Sequence, residues 1–273
     1  MQELELANLS IETAARALRK GEVSPLELTD AYLERIERLN PKVNAFITVT
    51  AERARDDARR ATEELAAGKL RGPLHGIPIA HKDLYETAGI RTTGGAKIHA
   101  DYLPQADCAV ARKLREAGTI LLGKLNTHEY AYGVTTNNPH FGPTRNPWDL
   151  QRIPAGSSGG SGAAIAAGLA TATTGSDTGG SIRMPASLCG VVGLKPTYGR
   201  VSKAGVLPLS FRFDHTGPIT RTVMDAGLMF NAMAGYDPAD PSSLRLPVED
   251  ITRDIGGDIR GPVSYTHLRA HET

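Results

Sequence analysis

The reading turns on Ile153-Pro154-Ala155-Gly156-Ser157-Ser158-Gly159-Gly160-Ser161-Gly162-Ala163-Ala164-Ile165-Ala166-Ala167-Gly168-Leu169-Ala170-Thr171-Ala172-Thr173-Thr174-Gly175-Ser176-Asp177-Thr178-Gly179-Gly180-Ser181-Ile182-Arg183. Two Gly/Ser clusters, 156–162 and 175–181, flank a small, apolar run, 163–170, that predicts one tightly packed helix. Glycine loses more conformational freedom on folding than any other residue. Two such clusters joined by a compact helix therefore point to turns whose backbone N–H groups approach something closely. That is the design of an active site.

Outward from this stretch, the chain divides. Before it, the first 70 residues predict a helical segment. Ser10 can cap a helix carrying Ile11, Ala14, Ala15 and Leu18, and Ser24-Pro25-Leu26-Glu27 has capping-box spacing with proline at the first helical position. The helix that follows aligns Leu28, Tyr32, Ile36 and Leu39, with Asn40-Pro41 as its expected end, and a charged helix runs from about Glu52 to Ala67. From residue 71 to 261 short strands alternate with helices: strand residues within 76–83, a helix over 107–117, strands at 119–122, 171–174 and 191–194, and a helix over 223–233. Such alternation implies an α/β sheet with crossovers. Residues 262–273 have neither helical nor strand periodicity and read as a foreign tail on a truncated frame.

Composition excludes several classes. The 31 basic and 30 acidic residues leave a formal charge of +1, so no global field steers the chain to nucleic acid or a membrane surface. No apolar run approaches a membrane span, no signal peptide is visible, and Cys108 and Cys189 form no metal-ligand spacing. A cytoplasmic protein without metal is the expectation.

Ser181, after Gly179-Gly180, is the best nucleophile candidate, because preorganised backbone donors around a serine are what an oxyanion hole requires. Its base is open between a histidine (His75, His81, His99, His128, His140 or His215) and Lys82, whose ammonium could be desolvated at a strand end. Ser157 could bridge Lys82 to Ser181. A phosphate cradle is disfavoured because 156–162 contains no lysine, and Cys189 reads as a core residue rather than a thiol nucleophile.

Lys82-Asp83, the 154–161 block and the 175–183 block together resemble the amidase signature family. Phe141-Gly142-Pro143-Thr144-Arg145-Asn146-Pro147-Trp148, Gly190-Val191-Val192-Gly193-Leu194-Lys195-Pro196-Thr197 and Asp214-His215-Thr216-Gly217-Pro218-Ile219-Thr220-Arg221 resemble it as well. Ser157 and Lys82 precede Ser181 by 24 and 99 residues, the separations expected in that family. The resemblance implies a mixed twisted α/β sheet covered by helices on both faces, C-terminally truncated here. It also implies a Ser–Ser–Lys triad of Ser181, Ser157 after a non-proline cis peptide, and Lys82. Thr178, Gly179, Gly180 and Ser181 would supply the oxyanion hole, with Ser158, Asp177 and Arg183 in support and no cofactor. The implied substrate is a small-molecule amide, with no direct nucleic-acid partner and either a homodimer or partner subunits.

Within the family a free-standing amidase competes with the A subunit of the glutamyl-tRNA amidotransferase, which releases ammonia from glutamine for its partner. Leu84, Thr136-Asn137-Asn138 and Met184-Pro185 stand where such A subunits usually carry other residues, which favours the free-standing amidase. An inactive fragment or binding scaffold on the same fold is the third reading.

Overall fold

The computed structural model describes residues 6–257; the suspected tail at 262–273 lies outside them. Helix α1 spans Ile11–Lys20. Ser10 Oγ accepts the Thr13 N–H at 3.1 Å, and left-handed Gly21 closes the other end. Helix α2 spans Pro25–Val43 and opens with a reciprocal capping box: Ser24 Oγ accepts the Glu27 N–H at 3.1 Å, and Glu27 Oε2 accepts the Ser24 N–H at 2.7 Å. Pro41 lies inside its last turn, and left-handed Asn44 ends it, so the expected stop at Asn40-Pro41 moves three residues. Pro41 removes only its own donor toward the preceding turn, and the last turn still closes through the Asn44 N–H, which caps Asn40 O at 2.7 Å.

The helical segment also contributes a strand that the sequence does not predict, β1 (Phe46–Val49), before α3 (Ala51–Ala66). Then come β2 (Pro78–Lys82), α4 (Ala109–Glu116), β3 (Ile120–Leu125) and the two-residue strands β4 (Asn137–Asn138) and β5 (Gly142–Pro143). Helix α5 is Gly159–Ala166, β6 is Ala172–Asp177, α6 is Arg183–Cys189, β7 is Val192–Gly193, β8 is His215–Thr220 and α7 is Val223–Met233.

The main sheet has the order β1-β3-β2-β6-β8-β7. Strand β2 lies parallel to both β3 and β6, whereas β1, β8 and β7 run antiparallel to their neighbours, so the sheet is mixed, as expected. Helix α5 packs on α6 and β6, and α7 packs on β8. Helix α7 is also tied to α1: buried Asp225 Oδ1 accepts the Ile11 N–H at 2.8 Å. Among the described residues no helix is long and apolar enough to cross a membrane.

Two sequence expectations shift by several residues, and both shifts build the site. The helix expected over 163–170 begins at Gly159, inside the first glycine cluster. It is buried from Gly159 to Ile165, and a Cβ on Gly160 would lie 2.4 Å from Asn126 O at the end of β3. Glycine there permits close approach of two backbones rather than a flexible turn. The strand expected over 171–174 runs on to Asp177, so the second turn is only Thr178–Ser181. Strand β8 and helix α6 escape a sequence reading because each carries a proline, Pro218 and Pro185.

Candidate active site

Strands β2 and β6 are hydrogen-bonded neighbours, and Lys82 and Ser176 near their C-terminal ends meet at one buried point. At the end of β2, Lys82 is fully buried. Its Nζ donates to Ser157 Oγ at 2.6 Å, Ser158 Oγ at 2.9 Å and Ser176 Oγ at 2.9 Å. Three hydroxyls satisfy the donors of an ammonium but carry no countercharge. Burial accordingly pushes the Lys82 ammonium down to about 7, against the pull of Asp177 and Asp214. The cluster therefore holds an amine that shares its proton near neutrality.

The peptide Gly156–Ser157 is cis. Ser157 O accepts the Thr127 hydroxyl at 3.0 Å and the His128 N–H at 3.1 Å, which fixes the backbone under the Ser157 side chain. Ser158 stands at the N-terminus of α5, and its Oγ also donates to Ser176 O at 3.2 Å. Two of the candidate site serines, Ser157 and Ser158, are thus brought together with Lys82.

Ser181 is buried on the neighbouring turn. Its carbonyl accepts the Ser158 N–H at 3.3 Å, and among the described residues its hydroxyl makes no hydrogen bond to Ser157 or Lys82. The turn is built around the Asp177 carboxylate. Asp177 accepts the Gly180 N–H at 2.8 Å, the Ile182 N–H at 3.2 Å and both Arg183 guanidinium contacts at 2.9 Å. Burial alone would raise the Asp177 carboxyl, but the Arg183 guanidinium and these N–H donors hold it below the usual carboxylate range. Gly180 sits at φ 135°, a left-handed value that glycine adopts readily. Of the four N–H groups expected in the oxyanion hole, that of Gly180 is committed to Asp177, which leaves Thr178, Gly179 and Ser181. The Thr178 hydroxyl donates to Asp214 at 2.5 Å, which steadies the start of the turn.

The histidines are engaged elsewhere. His75 lies 2.9 Å from Glu64, His99 contacts Tyr102 and Tyr130, and His140 pairs with Glu129. His81 is buried beside Tyr85 and is pushed down to about 3, chiefly by burial and then by Lys124. His128 contacts Thr135, and His215 lies between Lys195 and the carbonyls of Phe213 and Asp177. Among the described residues none is hydrogen-bonded to Ser157 or Ser181 through its ring. Cys189 is a core thiol in α6, pushed up to about 12 by burial. No group of His, Cys, Asp or Glu among the described residues could hold a metal.

Sequence reasoning misses Ser176. A signal is present: Thr174 and Ser176 alternate on one face of β6, and both touch Lys82, Thr174 through the Lys82 N–H at 3.2 Å. Tyr132 and Phe213, aromatic side chains that could line a substrate pocket, are 80% and 64% exposed.

The chain thus combines a mixed sheet with helices around it and a buried lysine that meets serines from two glycine-rich clusters. Residues 27–261 match the family described as Amidase, and the chain belongs to it. It is 51% identical over 258 residues to the A subunit of the glutamyl-tRNA(Gln) amidotransferase of Geobacter metallireducens, an alignment covering 94% of this chain and 53% of that protein. Among solved structures, one from a complex described as vestigial, bearing on the evolutionary origins of an s-triazine catabolic enzyme, superposes with a TM-score of 0.90 at 42% identity. It covers 93% of this chain and 56% of its own. The native peptide amidase of Stenotrophomonas maltophilia superposes at 0.85 with 39% identity, covering 89% and 52%. The chain spans about half the length of the curated relatives it matches.

Proposed function

We propose that this chain carries the acyl-transfer half of an amide-hydrolysing enzyme. Ser181 Oγ attacks the amide carbonyl carbon. Its proton passes to Ser157 Oγ, and the Ser157 proton passes to neutral Lys82 Nζ. The N–H groups of Thr178, Gly179 and Ser181 hold the oxyanion, while Asp177 and Arg183 keep their turn in shape. As the tetrahedral centre collapses, the C–N bond breaks and the leaving nitrogen takes the proton back through the same relay. Water then attacks the acyl ester, gives its proton to the relay and releases a carboxylate, restoring Ser181. The single observation that carries this reading is the 2.6 Å contact between Lys82 and Ser157 inside a fully buried site.

Two substrates fit this chemistry. Relatives at 48–51% identity, described as A subunits of glutamyl-tRNA(Gln) amidotransferases, favour glutamine as the amide and partner subunits as the ammonia acceptors. That reading stands ahead of the free-standing amidase that Leu84 and Met184 suggest. Leu84 is buried and Met184 packs against Gly180, so both residues serve local packing as well as they would serve substrate choice. On the longer protein, a panel of glutamine, aliphatic and aromatic amides separates the two. Glutamate released only with partner subunits present supports the amidotransferase, and turnover of simple amides by the protein alone supports the amidase. Ser181→Ala abolishes turnover in either case, and Lys82→Ala lowers it about 10²–10⁴-fold, the usual contribution of a general base. Full activity in Lys82→Ala rules the relay out.

A further inference from the structure

A second buried lysine stands one strand away from the first and has no part in the relay. Lys124, near the end of β3, pairs in register with His81, and Leu125 pairs with Lys82. It is fully buried. Its Nζ donates to Tyr85 O at 2.5 Å and to Thr92 Oγ1 at 2.6 Å, and lies 3.7 Å from Asp83 Oδ1. That Oδ1 is otherwise without a partner among the described residues, while Asp83 Oδ2 accepts the Thr93 N–H at 2.8 Å. The Tyr85 and Asp83 contacts fall on the three residues that follow Lys82, and the Thr92 and Thr93 contacts brace them from the next loop.

The same turn is clamped from the opposite side. The buried Tyr85 hydroxyl donates to Gly175 O at 2.5 Å, and Gly175 immediately precedes Ser176, one of the three hydroxyls around Lys82 Nζ. A continuous path therefore runs from Lys124 through Tyr85 and the Gly175–Ser176 backbone to the Lys82 amine. Resting on the relay proposed above, we propose that Lys124 and Asp83 form a positioning pair. The pair fixes the turn after β2 and cancels, beside the base, the charge that Asp83 alone would place there.

The pair also sets a direction for titration. Asp177 and Asp214 act on Lys82, and Lys82 in turn acts on His128. Around the pair itself stand His81, Cys108, Glu86 and Arg91. Removing the Lys124 cation takes positive potential away from this neighbourhood, so the Lys82 ammonium is held more firmly and neutral base forms only at higher pH. Removing the Asp83 charge does the opposite. A merely structural pair would not give shifts of opposite sign, because loosening the site from either residue lets water in and moves Lys82 upward only.

Fluorophosphonate labelling of Ser181 in the full-length protein reads the base without a known substrate. The P–O bond forms as the P–F bond breaks, fluoride leaves, and the serine proton passes through Ser157 to Lys82. Lys124→Met is expected to slow labelling on the order of tenfold to a hundredfold and to move its rise to higher pH. Lys124→Arg should keep the wild-type pH position, because the charge is retained. Asp83→Asn should move the rise to lower pH. If Lys124→Met fails to fold, Asp83→Asn and Lys124→Arg carry the test alone. A folded Asp83→Asn protein with an unmoved profile overturns the inference, as does an unmoved profile in folded Lys124→Met. Labelling that persists in Ser181→Ala overturns the serine reading and this inference with it. Labelling that is lost in Ser181→Ala and Lys82→Ala but indifferent to Asp83 and Lys124 overturns this inference alone.

Discussion

Helices α1, α2 and α3 bury alanine, leucine and isoleucine and leave their charges in water, whereas the ends of β2 and β6 bury a lysine, serine hydroxyls and a carboxylate. In α3 only Ala54, Ala58 and Ala61 are buried, and pairs such as Arg55–Asp30 at 2.7 Å lie at the surface. Exposed pairs of this kind contribute little, about 0–1 kcal/mol. At the sheet ends the same side-chain types are stripped of water, so each contact sets a protonation state or a loop geometry. The first region gives its stability to the second, which spends part of it holding polar groups out of solvent.

The sharpest way to break that contrast is at Asp177. Asp177→Ala strips the Ser181 turn of its organising carboxylate, and turnover should fall about 10²–10³-fold, comparable to losing an oxyanion donor. A rate unchanged when the folded fraction is matched would show that the turn holds itself. In the helical layer, Leu28→Ala removes a fully buried side chain from α2 and should lower unfolding stability by about 2–5 kcal/mol. Its rate per folded molecule should be untouched, as denaturant melts combined with active-site titration would reveal.

A third test turns on pH. Burial lowers the folded-state proton affinity of Lys82 to about 7, from an ordinary value of 10.5. Between those values the unfolded chain binds more protons than the folded one, so this residue makes stability rise with pH. Melting temperature followed from about pH 7 to about pH 10 should show a steeper upward contribution in wild type than in Lys82→Met. Equal slopes would place the buried charge elsewhere. The smallest effect belongs to a cap: Ser24→Ala should cost α2 about 1 kcal/mol with no change in pH profile, measured by the same melts.

Legibility in the sequence follows the same division. Caps and helical periodicity place α1, α2 and α3 closely, because local interactions write those elements. The glycine-rich clusters single out Ser157 and Ser181 as candidates, and the end of a buried strand singles out Lys82, of which the structure brings Lys82 and Ser157 into contact. Strand β1 is missed because four residues between two helices carry little periodic signal, and β8 because Gly217-Pro218 interrupts its pattern. Ser176 leaves only the alternation with Thr174 as a trace, and Lys124 leaves none. Their roles exist only once β2, β3 and β6 lie side by side, and no local pattern distinguishes a buried lysine from one at a strand's wet end.

The bond from Ile11 to Asp225 spans 214 residues. During synthesis α1 leaves the ribosome long before α7 exists, so its docking partner arrives only when nearly the whole described chain has been made. Nascent α1 and α2 must wait in the company of water or a chaperone until that distant segment emerges. Contacts of such long range are among the slow steps of folding. The described chain is therefore closed like a clasp, with α1 secured by α7.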